Sequence, residues 1–416
     1  MTPEEEALLA ILNTAPEYSS LHSDWEGNDP QNWRARIKKS SDGSIIDLSL
    51  AQASFSELSP SIGALANLTK LVLSSNDLRF LPEELSALRK LDALVLDSNT
   101  VTDVPSVIPQ LTSLHHLWLN RNPVGSIPPT IGSLHKTLEW LDFSECPRLI
   151  SLPLAIGTLT KLKRLDLHSC KIESLPATIG NLRKLDHLSL HSNELKELSP
   201  EIGDCTALTW LSLNSNHLLG LPSTIGQLTN MVRLSLHINQ LESLPEELGN
   251  LVHLEAISLH SNNLKTLPAS FEGLKECTRF SLYQNKELLR VPECIGGMLG
   301  LKELWLYDCG LVEVTPALSA LTNLQKLWLD RNKLSTVPKE LSNLKSLKEL
   351  YLDQNPNLAD LPEEIRTQMP NTKLFIDDTL PSARGVGEKT AAVAGGLGGR
   401  TDDDVKEPPN QKQRLA

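Results

Sequence analysis

A motif of 23 or 24 residues recurs along most of this chain, and it constrains the fold more than any other feature. LRKLDHLSLHSNELKELSPEIGD, from Leu182, and LTNMVRLSLHINQLESLPEELGN, from Leu228, are two copies. The shared frame is L-x-x-L-x-L-x-x-N-x-L-x-x-L-P-x-x-I-G-x-L. Fourteen copies fill 45–371, starting at Ile45, Leu68, Leu91, Leu114, Leu138, Leu162, Leu185, Leu208, Met231, Leu254, Cys277, Leu301, Leu324 and Leu347. A degenerate fifteenth strand, Lys373–Ile376, follows. Self-similarity at this period marks stacked repeats, in which no unit buries its own apolar face and neighbours complete one core.

Each frame position has a physical reading. L-x-L alternates with period two, as a short strand does, so the Leu point inward and the intervening residues outward. The Asn (for example Asn76, Asn193, Asn332) turns the chain, and its amide can satisfy turn backbone groups in a stacked ladder. Pro after Leu ends extended structure, and Ile-Gly closes the turn on the far side. Cys146, Cys170 and Cys309 replace the ladder Asn, Cys205 and Cys277 replace frame Leu, and Cys294 sits beside Ile295. With no Cys-x-x-Cys pair, these read as structural thiols. The long chain therefore reads as one elongated domain.

The frame resembles the leucine-rich repeat family, in its L-P-x-x-I-G type. The resemblance implies an α/β fold, a curved right-handed horseshoe solenoid with a parallel sheet on its concave face. The repeat is similar to that of repeat-only intracellular proteins, the Ras-pathway scaffolds of animals and a related plant group, whose concave face holds signalling partners. Residues 1–44 read as an N-terminal cap: a helix over 4–13, packing residues Trp25 and Trp33, and a turn at Ser41, Asp42 and Gly43. The stretch ALLAILNTAP…SDWEGNDPQNWRARI…GSIIDLSL resembles the cap of plant-type leucine-rich repeat receptors without its cysteines; Asn32 precedes Trp33. Residues 372–380 supply a covering strand. Residues 381–416, rich in Gly, Ala, Asp, Lys and Gln, read as a disordered tail.

Aromatic residues are scarce, at 4%, yet the 7 Trp outnumber the 6 Phe. Phe55, Phe143, Phe271 and Phe280 fall on inward positions. Trp118, Trp140, Trp210, Trp305 and Trp328 fall on outward strand positions, with Tyr283, Tyr307 and Tyr351. Trp118 and Trp140 form one aromatic site; Tyr283, Trp305, Tyr307, Trp328 and Tyr351 form a larger one. Amphipathic rings in such places are favoured contact residues for a protein partner. Between them a Ser column runs beside His168, His191, His237 and His260, which reads as a hydrated polar trough. Stacked imidazoles invite two readings, a transition-metal site or pH-sensitive binding. Without Cys or carboxylates in that column, no metal is assigned. Lys163, Arg164, Arg233 and Arg279, set against Asp166, Asp186 and Glu255, make the trough mildly basic.

Charge and motifs exclude several functions. Net charge is −12, so a basic nucleic-acid surface is not expected. No 18-residue apolar run exists, and the N-terminus lacks a signal-peptide pattern, so the expectation is a cytoplasmic protein without membrane insertion. G-x-G-x-x-G, P-loop, G-x-S-x-G and H-E-x-x-H motifs are absent, so no enzyme and no cofactor are expected. The sequence thus points to a monomeric, non-catalytic scaffold that binds protein partners on its concave face. The alternative is an extracellular recognition module resembling plant-type receptor ectodomains.

Overall fold

The computed structural model describes residues 2–16, 19 and 36–381. Trp25 and Trp33 of the expected cap, and the tail from 382 on, lie outside the described residues. The chain divides into two compact units, Met1–Leu195 and Lys196–Ala416.

The first unit opens with helix α1 (Pro3–Leu12). Its start follows from local chemistry: Thr2 accepts from the Glu5 N–H at 3.2 Å, Glu5 accepts from the Thr2 N–H at 2.8 Å, and Pro3 occupies the first turn. This reciprocal pair satisfies two amides that a helix leaves open. Ala7, Leu8, Ile11 and Leu12 are buried, so the helix covers the end of the repeat core. A hairpin that the repeat pattern did not predict follows. Strand β1 (Ile37–Lys39) pairs antiparallel with β2 (Ile45–Ser49). The expected turn joins them: Gly43 takes φ +89°, and Asp42 accepts from the Ser40 hydroxyl and the Ser44 amide. Then come β3 (Lys70–Val72), β4 (Ala93–Val95), β5 (His116–Trp118), β6 (Trp140–Asp142), β7 (Arg164–Asp166) and β8 (His187–Ser189). From β2 on, successive strands pair parallel and in register, one repeat apart.

The second unit repeats the plan with β9 (Trp210–Ser212), β10 (Arg233–Ser235), β11 (Ala256–Ser258), β12 (Arg279–Ser281), β13 (Glu303–Trp305), β14 (Lys326–Trp328), β15 (Glu349–Tyr351) and β16 (Lys373–Phe375). All its pairings are parallel. Both units are leucine-rich solenoids of the α/β class, and the degenerate last strand falls where the frame places it. The helix α2 (Glu363–Gln368) was not predicted. It replaces a tight turn in the last repeat, where Arg366 stands at the usual Gly position.

Elsewhere the side away from the strands is made of short 3-10 turns, most of which begin at Pro or just after it, as at Pro200–Asp204 and Ser223–Gln227. The Ile-Gly pair fits that packing. An added Cβ on Gly63 would lie 2.7 Å from the Glu84 carbonyl oxygen of the next repeat, and on Gly296 2.6 Å from that of Ala317. The four inward Phe and the Leu of the L-x-L strands are buried, while Leu221 and Leu244, just before Pro, are only half-buried. No helix among the described residues is long and apolar enough to cross a membrane.

The Asn ladder forms as its position implies. Asn76 Oδ1 accepts from the amides of Ala53 and Phe55, both at 3.0 Å, while Nδ2 donates to the Leu50 and Leu73 carbonyls at 2.9 Å. Cysteine keeps only half of this chemistry. The thiols of Cys146, Cys170 and Cys309 donate to Leu119, Phe143 and Leu282 carbonyls at 3.5, 3.1 and 3.4 Å. All six cysteines are free, and burial pushes these three thiols up to about 12.

Candidate functional site

The open face of the sheet carries the expected side chains, but it does not expose them as their outward position suggests. Trp118, Trp140 and Trp210 are only 2%, 4% and 5% exposed, and Trp328 8%. Tyr283, Tyr307 and His260 are also buried; Trp305, Tyr351, His168, His191 and His237 are partly exposed. For Tyr283, Tyr307, His260 and Trp328 the cause is the parallel register, which puts equivalent rings one strand apart, close enough to cover each other's faces.

In the second unit two ladders result. One runs His237, His260, Tyr283, Tyr307, with centroid spacings of 4.3, 4.1 and 4.3 Å. The other runs Trp305, Trp328, Tyr351, Phe375, at 5.0, 5.4 and 4.1 Å, with planes within 11°. Tyr283, Tyr307 and Trp328 form a cluster against which Trp305 and Tyr351 pack. Lys326 lies over Trp328 at 5.8 Å and reaches Glu349 at 3.6 Å. Phe375 was missed as a member. Its signal was in the sequence, since Lys-Leu-Phe at 373–375 aligns with Glu-Leu-Tyr at 349–351.

The hydrated trough is corrected. Ser189, Ser212, Ser235, Ser258 and Ser281 are all buried. Ser281 donates to Ser258 at 3.1 Å and Ser212 to Asn214 at 2.7 Å, while the Ser189 hydroxyl is buried without a hydrogen bond. The pH-sensitive reading is corrected for His260, which burial pulls down to about 3 and so keeps neutral. Among the described residues no group of three or more His, Cys, Asp or Glu side chains is arranged to hold a metal ion.

In the first unit Trp118 and Trp140 meet edge to face at 5.0 Å, and His116 stacks on Trp118 at 5.7 Å. His168 and His191 stack at 4.5 Å. The mildly basic character expected here is corrected too. Arg164 lies over Trp140 at 4.8 Å and pairs with Asp166 at 2.6 Å, and Asp142 and Asp166 are both buried beside it. Burial, then repulsion from Asp142, pushes the Asp166 carboxyl up to about 6, against the pull of Arg164 and Trp140. Burial, then Arg164, takes His187 down to about 2. Sequence reasoning missed this cluster because it treated outward strand positions as solvated.

The repeat frame also matches known proteins. Leucine rich repeat models match residues 157–218, 299–356 and 113–134. A leucine-rich repeat protein of Leptospira interrogans is 34% identical, over 79% of this chain and 83% of its own, with a TM-score of 0.72. The chain belongs to the leucine-rich repeat family. It is also similar to a chain of the PEPR1–AtPEP1 crystal structure, at 28% identity and a TM-score of 0.72, covering 90% of this chain but only 55% of that one. The ectodomain of the Arabidopsis thaliana receptor kinase GASSHO1/SCHENGEN3 shares the fold, at 22% identity and a TM-score of 0.59, over 90% of this chain and 55% of its own. No curated protein matches the chain.

Proposed function

We propose that this leucine-rich repeat protein is a non-catalytic scaffold that holds a protein partner on the open, concave face of its repeats. The observation that carries this reading is the double aromatic ladder of the second unit. The inward side of the strands is already filled with Leu, and Trp305, Trp328 and Tyr351 form a second packed layer on the opposite, open side of the sheet. These rings instead present edges and tips beside Lys326 and Glu349, a mixed apolar and hydrogen-bonding surface of the kind that anchors interfaces. Trp305 and Tyr351 are the most accessible members and serve as first contacts. The Trp118–Trp140 pair of the first unit is a secondary contact. The protein works as a monomer in cytoplasmic signalling, a reading supported by its free thiols.

A second reading, an extracellular recognition module, is supported by the likeness to the PEPR1–AtPEP1 chain. Fractionation of the tagged protein separates the two, since recovery outside the cytosol removes the first. Affinity purification with mass spectrometry should recover a partner with the wild type and lose it with Trp305→Ala. Identical partner sets from both proteins, with the variant folded, would remove the aromatic face from the proposal.

A further inference from the structure

Beneath the tryptophans of the first unit lies an incomplete proton network. Asp142 on β6 and Asp166 on β7 stand opposite each other in register, and both are buried. Asp142 Oδ1 accepts from the Ser144 amide at 2.9 Å and from the Ser144 hydroxyl. Asp166 Oδ2 accepts from Trp140 Nε1 at 2.8 Å and from Arg164 Nε at 2.6 Å. Asp166 Oδ1 is buried with no hydrogen bond, and His187 Nε2 on β8 lies 3.6 Å from it.

Further charged groups surround this pair. On β7, Arg164 serves Asp166, while Lys163 just before the strand pairs with Glu139 at 2.8 Å. Next to β8, Asp186 adds a further carboxylate, itself pushed up by burial. On β5, His116 engages Asp92 at 3.3 Å. After β7, His168 stacks on His191. Asp142 and Asp166 thus lie in register in a dry site, where ionisation of both is disfavoured. A buried carboxylate oxygen without a donor adds to that penalty. His187, neutral through burial, offers Nε2 as an acceptor when its proton sits on Nδ1.

We propose that Asp166 and His187 form a proton-binding site: as the solution becomes mildly acidic, Asp166 Oδ1 takes one proton from solvent and donates it in a hydrogen bond to His187 Nε2. No other bond changes, and the imidazole stays neutral. The step removes one buried negative charge and fastens the carboxyl that holds Trp140 and Arg164. Its sign is opposite to that of an ordinary salt-bridged carboxylate. The ionised form is the costly one in the folded state, so this group stabilises the fold increasingly as pH falls through its raised folded value toward the unfolded value near 3.8.

The test uses the full chain. The Trp140 indole N–H resonance, assigned with Trp140→Phe, is followed from pH 8 to 4, and urea midpoints are measured at pH 5 and 7.5. A Trp140 transition centred well above the ordinary Asp range supports the site. Asp142→Asn should move that midpoint down by about one pH unit or more, because it removes the like charge. His187→Phe should lower it as well, by removing the acceptor. Asp166→Asn imitates the protonated acid, so it should abolish the transition and raise the urea midpoint at pH 7.5 above that of the wild type. A wild-type midpoint near 4, or one unmoved by both Asp142→Asn and His187→Phe, overturns the proposal. If Asp166→Asn does not fold, the wild-type, Asp142→Asn and His187→Phe titrations alone decide it.

Discussion

Replacing Trp328 by Ala tests whether the aromatic ladder is part of the fold or only decoration on it. Trp328 is stacked on both faces, by Trp305 at 5.0 Å and Tyr351 at 5.4 Å. Two such pairs contribute roughly 1–3 kcal/mol together beyond burial, and the Lys326 contact adds about 0.5 kcal/mol. Removing a buried Trp side chain costs about 3–5 kcal/mol in protein cores. One edge of this ring faces the open side of the sheet, so the lower part of that range applies. The expected loss is about 3 kcal/mol, read from urea unfolding of the whole chain by circular dichroism. Trp305 is stacked on Trp328 and partly exposed, so Trp305→Ala should cost about half as much. Trp328→Phe, which keeps a ring between its neighbours, should recover more than half. An exposed spectator ring would cost within about 0.5 kcal/mol. A value that small for Trp328→Ala would refute the ladder as a structural element. The same arithmetic makes Trp305, not Trp328, the better probe of partner binding, because its loss leaves more of the fold intact.

Three further outcomes follow from the structure. Asn332 Oδ1 accepts from the amides of Cys309, Gly310 and Leu311, so Asn332→Ala strands several buried groups and should cost about 3–5 kcal/mol in urea unfolding. Asn332→Cys should cost clearly less, as Cys309 still donates to the Leu282 carbonyl; equal losses would contradict the ladder account. Ile238 holds φ +52° where six of the fourteen repeats place Ser, and it is 51% exposed, so Ile238→Ser should raise stability by about 1 kcal/mol; a loss would mean its side chain is needed for packing. His260, held neutral by burial, should show no ring titration above about pH 5 by NMR. Its folded value lies below the unfolded one, so it lowers stability as pH falls from about 6.5 toward 3, opposite in sign to Asp166; a ring midpoint near 6.5 would contradict its burial.

Most of the fold was legible because each frame position solves one local problem. Leu alternation set the strands, Asn the inward turn, and Pro and Gly the far side. Less local features were not legible. Strand β1 carries no repeat signature; it forms by pairing with β2, and Arg36 donates to the Ala51 carbonyl at 3.0 Å. Helix α2 arises in the last repeat, where Arg366 replaces the close-packing Gly.

The sequence by itself determined which residues are inward, which are outward, and that they recur in columns. Only the tertiary structure decided what outward means. In-register parallel pairing brings each column's rings to within about 4–5.5 Å, so Trp328 is covered by Trp305 and Tyr351, and Tyr283 by His260 and Tyr307, on a face where alternation alone leaves them in water. The same pairing sets Asp142 between Trp118 and Asp166, and Trp140 donates to Asp166, so two outward carboxylates become buried neighbours. Period tells a residue its side of the sheet. Its neighbours across the strands set its dielectric and its partners, and these reside in another repeat more than twenty residues away.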